Sequence, residues 1–551
     1  MKHTFLGLIE DSIRKNWTLP ALTDYEGETI RYKDFASHIA KLHAYFKAGG
    51  VQKGDKIAIC GKNSSHWAVA FFGTLSYGAV AVSILHEFDK SSVEYIVDHS
   101  DAKVFFVDKA LFQNLNMESM PKLETVVSLD SFALEQTNSE ELKDFFANAD
   151  EYFKKTFTKD FTANDIDFHQ EEEEEELAVL NYTSGTTSSP KGVMIPYRSL
   201  WSNTKFANDN LQFIKGGDNI VCMLPMAHTY GLAFEILNSI SMGCHVHFLN
   251  RTPSPRIIMD AFAKVKPKLV LAVPLIIEKI VTRNVFTEIH KQPVKTLIKI
   301  PIFNLYIRKK IKKKLVNFFG DNLVEVVIGG AALNREVERF LRFIHFPYTV
   351  GYGMTECSPL IAYSFWKEFK GQSCGQIVDR MEAKIDSINP ETEVGEILVR
   401  GTNVMLGYYK NEEATKEIML PDGWMKTGDL GIMDKDGFLF IKGRNKNLIL
   451  GASGQNIYPE EIEDKLNESP YIQEALAIEE DGKVVALIFP DAEVMKQNNI
   501  NTKDYQTFFD GVIKEINQTL PVYSKIKSFR IQEVEFDKTP KRSIRRFKYT
   551  E

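Results

Sequence analysis

The sequence predicts an α/β fold: a large amino-terminal domain of parallel sheets covered by helices, a small β-rich subdomain, and a smaller α+β carboxy-terminal domain. Three observations carry this. First, the β-rich runs "KIAIC", "AVAVSIL", "KVFFVD", "NIVCMLP", "CHVHFL", "KLVLAVP" and "VEVVIGG" alternate with amphipathic segments, as strands under helices do. Second, from about Met381 the texture shifts to shorter strands and turns, "MEAKIDS", "GEILVRG" and "DGFLFIKGR". Third, after Arg444 a pattern of strand, helix, hairpin and helix runs to the basic tail, long enough at about a hundred residues to form its own domain. The boundary falls at "GRNKN", giving domains 1–443 and 444–551.

At 551 residues with 44% hydrophobic content the chain can bury more than one core. The net charge of -7 gives no footprint for nucleic acid. Five scattered cysteines without a C-x-x-C pair argue against disulfides and structural zinc, so a cytoplasmic setting is expected, with membrane association as the alternative. The opening "MKHTFLGLIEDSIRKNW" carries Glu10 and Asp11 where a signal peptide would stay apolar. The uncharged run Trp67 to Leu85 is long enough for a membrane span, but Gly73, Thr74, Ser76 and Gly78 divide it into a small-residue helix and a β-branched strand. The acidic run Glu171 to Glu176 reads as a solvated loop. "IRKKIKKKLV", Ile307 to Val316, reads either as a solvated helix face or as a surface for anionic headgroups.

The chemistry starts at "YTSGTTSSPKG", Tyr182 to Gly192. A Walker loop places lysine after its second glycine and before Ser or Thr; here Lys191 precedes Gly192 and Val193 follows. The loop can still wrap its amides, including that of Gly185, and the hydroxyls of Thr183, Ser184, Thr186 and Thr187 around phosphate oxygens, with Lys191 adding charge. A plain Ser/Thr turn is the other reading.

Two further segments decide between them. "VGYGMTECSP", Val350 to Pro359, and "KTGDLGIMDKDGFLFIKGRNKNLILGASGQNIYPEEIE", Lys426 to Glu463, together with the loop resemble the adenylate-forming superfamily of acyl-CoA synthetases, peptide-synthetase adenylation domains and luciferases. The resemblance covers nearly the whole chain. It implies ATP bound between the two domains, rotation of the small domain about a hinge at Lys446, and a loop that embraces the β- and γ-phosphates while a carboxylate attacks the α-phosphorus. By the same resemblance Glu356 holds Mg2+, Thr355 touches the α-phosphate, and Tyr352 with Gly330 and Ala331 flanks adenine. Asp429 accepts from the ribose hydroxyls, helped by Arg444, and Gly454 gives the pantetheine of CoA room. Taken alone, Asp429 reads as a turn residue and Glu356 as a helix-start acid.

"LPMAHTYGLAFEIL", Leu224 to Leu237, and "LAVPLIIEKI", Leu271 to Ile280, resemble the acyl side of fatty acid ligases, which favours an aliphatic acid. Gly329, Ala331 and Gly353 are expected to leave that pocket open by their lack of bulk. His228 reads as a site residue or as a satisfied core histidine. Glu235 reads as a helix residue and not as an anchor for a substrate amine. Two departures from the family stand out. Ser188 replaces the usual glycine of the loop, and "KTPKRSIRR" places Ser543 where the family carries its catalytic lysine. In an extended segment Lys541 shares a face with Ser543 and is the cation placed to substitute, a solvated basic tail being the alternative. The expected activity is a ligase joining a medium- or long-chain fatty acid to CoA through acyl-AMP. Acyl carrier protein is the alternative acceptor, and a catalytically weak nucleotide- or lipid-binding relative is the rival class.

Overall fold

The computed structural model describes residues 4–156, 161–169, 172–183, 190–250, 255–286, 301–450, 455–539 and 544–550. Its central element is an eight-stranded sheet. In spatial order its strands are Gly407–Tyr408, Lys191–Pro196, Leu177–Thr183, Val80–Ile84, Lys56–Cys60, Ala102–Val107, Thr125–Ser128 and Leu134–Thr137. The four strands from Val80–Ile84 to Thr125–Ser128 pair in parallel, as runs buried on both faces should. A second sheet pairs Asn219–Cys222, His245–Phe248 and Pro20–Asp24 in parallel and adds Thr29–Arg31. A third is the parallel trio Leu269–Ala272, Glu325–Ile328 and Tyr348–Val350. Every β-rich run named above forms a strand. The change of texture at Met381 marks the antiparallel sheet of Met381–Asp386, Gly395–Gly401, Met425–Met433 and Leu439–Arg444.

The uncharged run at Trp67 shows how sequence sets local structure. Ser64 caps helix Ser65–Tyr77 by accepting from the Trp67 amide, and the helix stops at Gly78, whose φ of 86° suits only glycine well. Strand Val80–Ile84 then enters the sheet fully buried. Among the described residues no helix is long and apolar enough to cross a membrane.

One expectation is corrected here. The acidic run is not simply a solvated loop, because Glu172 is buried and its carboxylate accepts from the amides of Phe5 and Leu6 at 2.7 Å each. Those amides begin helix Phe5–Lys15, where a helix presents unpaired donors. Burial raises the Glu172 carboxyl to about 7. Its neighbours serve as ion-pair partners, Glu175 to Arg198 at 2.7 Å and Glu176 to Lys53 at 3.4 Å.

Beyond Leu448 the chain builds helix Pro459–Asn467, a hairpin of Ile472–Glu480 with Lys483–Pro490, helix Tyr505–Thr519 and a parallel third strand, Ser528–Ile531. Ile449, Ile462, Leu466, Ala477, Ile488 and Phe509 form an apolar cluster of this region's own.

Candidate active site

Strands Leu177–Thr183 and Lys191–Pro196 pair antiparallel with Thr183 opposite Lys191. The two ends of the hydroxyl-rich loop are thereby fixed side by side. Ser184, Gly185, Thr186, Thr187 and Ser188 lie outside the described residues. Gly192 is needed for this approach: a Cβ there would sit 3.1 Å from the ring of Tyr182 beneath it.

Lys191 reaches toward Tyr408, its Nζ 5.0 Å from the ring centroid. The Tyr408 hydroxyl donates to Glu356 Oε1 at 2.8 Å. Lys191, Tyr408 and Glu356 thus form one chain of contacts at the loop's base. Tyr408 stands on the two-residue strand paired with Val193 and Met194, and Glu356 sits in the tight turn Thr355–Cys357. The Met405 amide donates to the Glu356 carbonyl at 2.9 Å, tying that turn to the strand. Burial, then the Glu356 charge, pushes the Tyr408 phenol up, so it remains a donor. Sequence reasoning missed Tyr408. Its only signal is "GYYK", an aromatic pair after a glycine, which is equally the mark of an edge strand.

A second cluster lies at Asp429. Its carboxylate accepts from the Tyr352 hydroxyl at 2.7 Å and lies 3.1 Å from Arg444 Nε, its cross-strand partner. Asp429 is buried, whereas the Arg444 side chain is 65% exposed and able to meet a ligand. Tyr352 is itself buried and spends its hydroxyl on Asp429. Gly330 and Ala331 are exposed just past the carboxyl end of strand Glu325–Ile328, where open parallel sheets bind ligands. Gly330 has φ 87°, and among the described residues only Val273 comes near the place of its absent side chain.

The acyl-side expectations are partly corrected. At Gly329 the space is taken by the ring of Tyr230, which would lie 3.2 Å from a Cβ placed there, and the Tyr230 hydroxyl donates to the Val327 carbonyl. At Gly353 a Cβ would collide with the carbonyl of Pro359. At both glycines protein atoms stand where a Cβ would reach, so their lack of bulk is needed for the packing of Tyr230 and Pro359. His228 is half-buried and caps the turn Thr229–Gly231, with Nδ1 accepting from the Tyr230 amide at 3.2 Å. Glu235 does lie on a helix, but on a π-helical turn, Leu232–Leu237, and fully buried. It accepts from the Leu224 amide at 3.0 Å, and burial pushes its carboxyl well above the usual range.

Lys446 occupies the exposed turn Asn445–Asn447, directly after strand Leu439–Arg444. Gly454, Lys541, Arg542 and Ser543 lie outside the described residues. The flanks of the last group do not run on in one line, since Lys538 pairs antiparallel with Ile544. Lys538 is committed to Glu474 at 2.6 Å and Glu535 at 2.7 Å.

Among the described residues no three acidic, His or Cys side chains gather as a metal cage. Mg2+ commonly takes one or two carboxylates and completes its shell with phosphate oxygens and water. Glu356, beside the loop and accepting one hydrogen bond from Tyr408, has oxygen lone pairs to spare for such an ion.

Residues 9–409 match the AMP-binding enzyme family, a span that includes Lys191, Glu356 and Tyr408. The chain belongs to that family. ATP, Mg2+ and CoA are the ligands of its CoA ligases. The long-chain-fatty-acid–CoA ligase FadD15 of Mycobacterium bovis is 28% identical over 533 residues, covering 88% of this chain and 84% of its own. A long-chain-fatty-acid–CoA ligase of Bacillus subtilis is 27% identical over 491 residues, covering 86% and 82%. Among solved structures, ATP-bound MatB from Rhodopseudomonas palustris superposes with a TM-score of 0.77 at 21% identity, covering 99% of this chain and 98% of that one. The o-succinylbenzoate–CoA synthetase of Bacillus subtilis gives 0.75 at 21%, with the same coverage. These two likenesses concern the fold.

Proposed function

We propose that this chain is an ATP-dependent ligase that joins medium- or long-chain fatty acids to CoA. The observation that carries the reading is the contact chain Lys191–Tyr408–Glu356 at the base of the phosphate loop. It sets a cation and a carboxylate beside the same loop, as activation by a triphosphate requires. Relatives named long-chain-fatty-acid–CoA ligases, matched over more than four-fifths of their length, support the acid class.

In the first half-reaction a carboxylate oxygen attacks the α-phosphorus of ATP, the bond to the bridging oxygen breaks, and pyrophosphate leaves. Two anions repel, so the site must screen charge and align the reactants. Lys191 lowers the repulsion, while Tyr408 holds Glu356 in place by its hydrogen bond. Mg2+, when bound, neutralises triphosphate charge. Thr355 borders the α-phosphate. Asp429, oriented by Tyr352 and Arg444, accepts from the ribose hydroxyls. In the second half-reaction the CoA thiol attacks the acyl carbonyl, and AMP departs with the oxygen the acid supplied. Residues 1–443 and 444–551 act as two domains turning about Lys446, which lets one carbonyl meet different partners in turn.

The test is a panel of carboxylic acids from short to long chain, with ATP and either CoA or acyl carrier protein, scored for thioester by mass. Thioester with CoA, rising with chain length, is expected. Thioester only with carrier protein, or only with aromatic or dicarboxylic acids, would replace the reading.

A further inference from the structure

Helix Pro301–Phe318 carries six cations and no acidic residue in eighteen positions. An ordinary solvated helix interleaves the signs, because like charges spaced three and four apart repel. The cations divide into two sets. Arg308 lies over the ring of Phe343 at 4.6 Å, and Lys312 over Trp366 at 5.6 Å, so both are committed to the body of the protein. Lys309, Lys310, Lys313 and Lys314 are exposed, and among the described residues none of them forms an ion pair or a side-chain hydrogen bond.

These four lysines follow one another at intervals of one and three or four along the helix. They therefore line a single face, and Leu305 and Tyr306 continue that face one turn earlier. Leu305 is 56% exposed and Tyr306 65%, among the most exposed large apolar side chains of the molecule. The opposite face is anchored: Leu315 is buried, with Ile311 and Val316 packed against the same apolar cluster as Ala272, Ile277 and Ile280. The helix is thus fixed to the wall that includes the acyl-side stretch Leu271 to Ile280, with its lysines outward.

We propose that this face docks on an anionic lipid bilayer, with the four lysines against headgroup phosphates and carboxylates and Leu305 and Tyr306 entering the interface. Charge complementarity selects the partner. The chain as a whole carries -7, so a polyanion gains no attraction from the net charge and needs a local positive stripe such as this one. Two apolar side chains at one end distinguish a bilayer from a purely ionic partner, since an apolar interior rewards their burial and a hydrated polyanion does not. Docking here would bring the acyl wall next to the phase in which fatty acids dissolve. The proposal goes beyond the ligase reading and does not depend on it, because binding is measured without ATP or CoA.

The test is flotation of the full chain with vesicles of phosphatidylcholine alone and of phosphatidylcholine with about one-third phosphatidylserine. Each lysine near an anionic surface raises partitioning about fivefold. Wild type should therefore float with the phosphatidylserine vesicles only, and raised salt should release it. Joint replacement Lys309→Glu, Lys310→Glu, Lys313→Glu and Lys314→Glu should lower binding by about a hundredfold or more. Circular dichroism and the melting temperature, unchanged from wild type, check that the variant is folded. Leu305→Ser with Tyr306→Ser should lower binding about tenfold. Equal flotation with both vesicle types, or full binding by the charge-reversed variant, overturns the proposal. Loss on lysine reversal with no loss on Leu305→Ser and Tyr306→Ser also overturns it, leaving a general polyanion site.

Discussion

In the large region Ile59, Val82 and Leu180 share one apolar cluster that runs on through Ile397 to Leu439, whereas Ile449, Leu466 and Phe509 collect in a cluster apart. Among the described residues no apolar cluster joins the two. What joins them is polar: Arg335 lies 3.4 Å from Asp464, Arg339 3.4 Å from Glu468, and Asn334 Nδ2 donates to the Asn467 carbonyl at 3.1 Å. Partly exposed ion pairs contribute about 0–1 kcal/mol each, because water replaces them well. Apolar cores have no such substitute. Parting the two regions would therefore unmake neither core, as a domain turning about Lys446 would need. Two buried carboxylates, one from each region, also differ. Glu463 is met by Arg546 at 2.7 and 2.8 Å, while among the described residues Glu325 accepts from the Tyr363 hydroxyl and the Trp366 amide, each at 2.8 Å, and from no cation.

The largest expected effect breaks the comparison directly. Arg546→Met strands the buried Glu463 carboxylate, at a cost of about 3–5 kcal/mol. If the regions are separate units, calorimetry should show two transitions in wild type, with only the one belonging to residues beyond Leu448 moving in the variant. A single transition that shifts as a whole would make the chain one cooperative body.

Next in size are changes at the phosphate loop. Lys191→Ala and Glu356→Ala should each slow pyrophosphate release about a hundredfold or more, with melting temperature nearly unchanged. Tyr408→Phe removes a neutral donor to a carboxylate and should cost about tenfold. Wild-type rates in the first two variants would remove the contact chain from the site. Lys446→Pro follows. By fixing φ in the turn after Arg444 it should leave acyl-AMP formation within about threefold of wild type while thioester formation lags by about tenfold or more. Rapid quench of the two half-reactions separates these outcomes, and an equal fall in both would place the pivot elsewhere.

Strands and their parallel order were legible because buried β-branched runs separated by helical periods admit few arrangements. The Trp67 run resolved correctly for the same reason, since Gly78 can only end a helix cheaply. Side-chain partnerships across the sequence were not legible. Glu172 sits in a run of six glutamates, and nothing local marks it as the one that meets the amides of Phe5 and Leu6. Tyr408 lies more than fifty residues from Glu356, and the two meet through the pairing of its short strand with Val193 and Met194 and through the Met405 amide on the Glu356 carbonyl. Gly329 and Gly353 show the converse. Their smallness was visible, but whether substrate or protein fills the vacated space depends on Tyr230 and Pro359.

The last effect concerns Glu325 and is seen only as a dependence on pH. Burial raises its carboxyl to about 7 from an ordinary 4.5, with no cation among the described residues to offset the desolvation. A folded-state value above the unfolded one means that the folded chain binds the extra proton between those limits. Stability from this group is thus fully present below about 4.5 and is lost as pH rises through about 7. Glu325→Gln removes the titration but keeps a carbonyl oxygen that can accept from Trp366 or Tyr363. The variant should be the weaker protein near pH 5, where wild-type Glu325 is protonated. Its deficit should shrink by about 1–3 kcal/mol by pH 8, read as the difference in melting temperature of the large region's transition. A deficit that stays constant over that range would mean that Glu325 is charged throughout, and would remove burial as the force that raises its carboxyl.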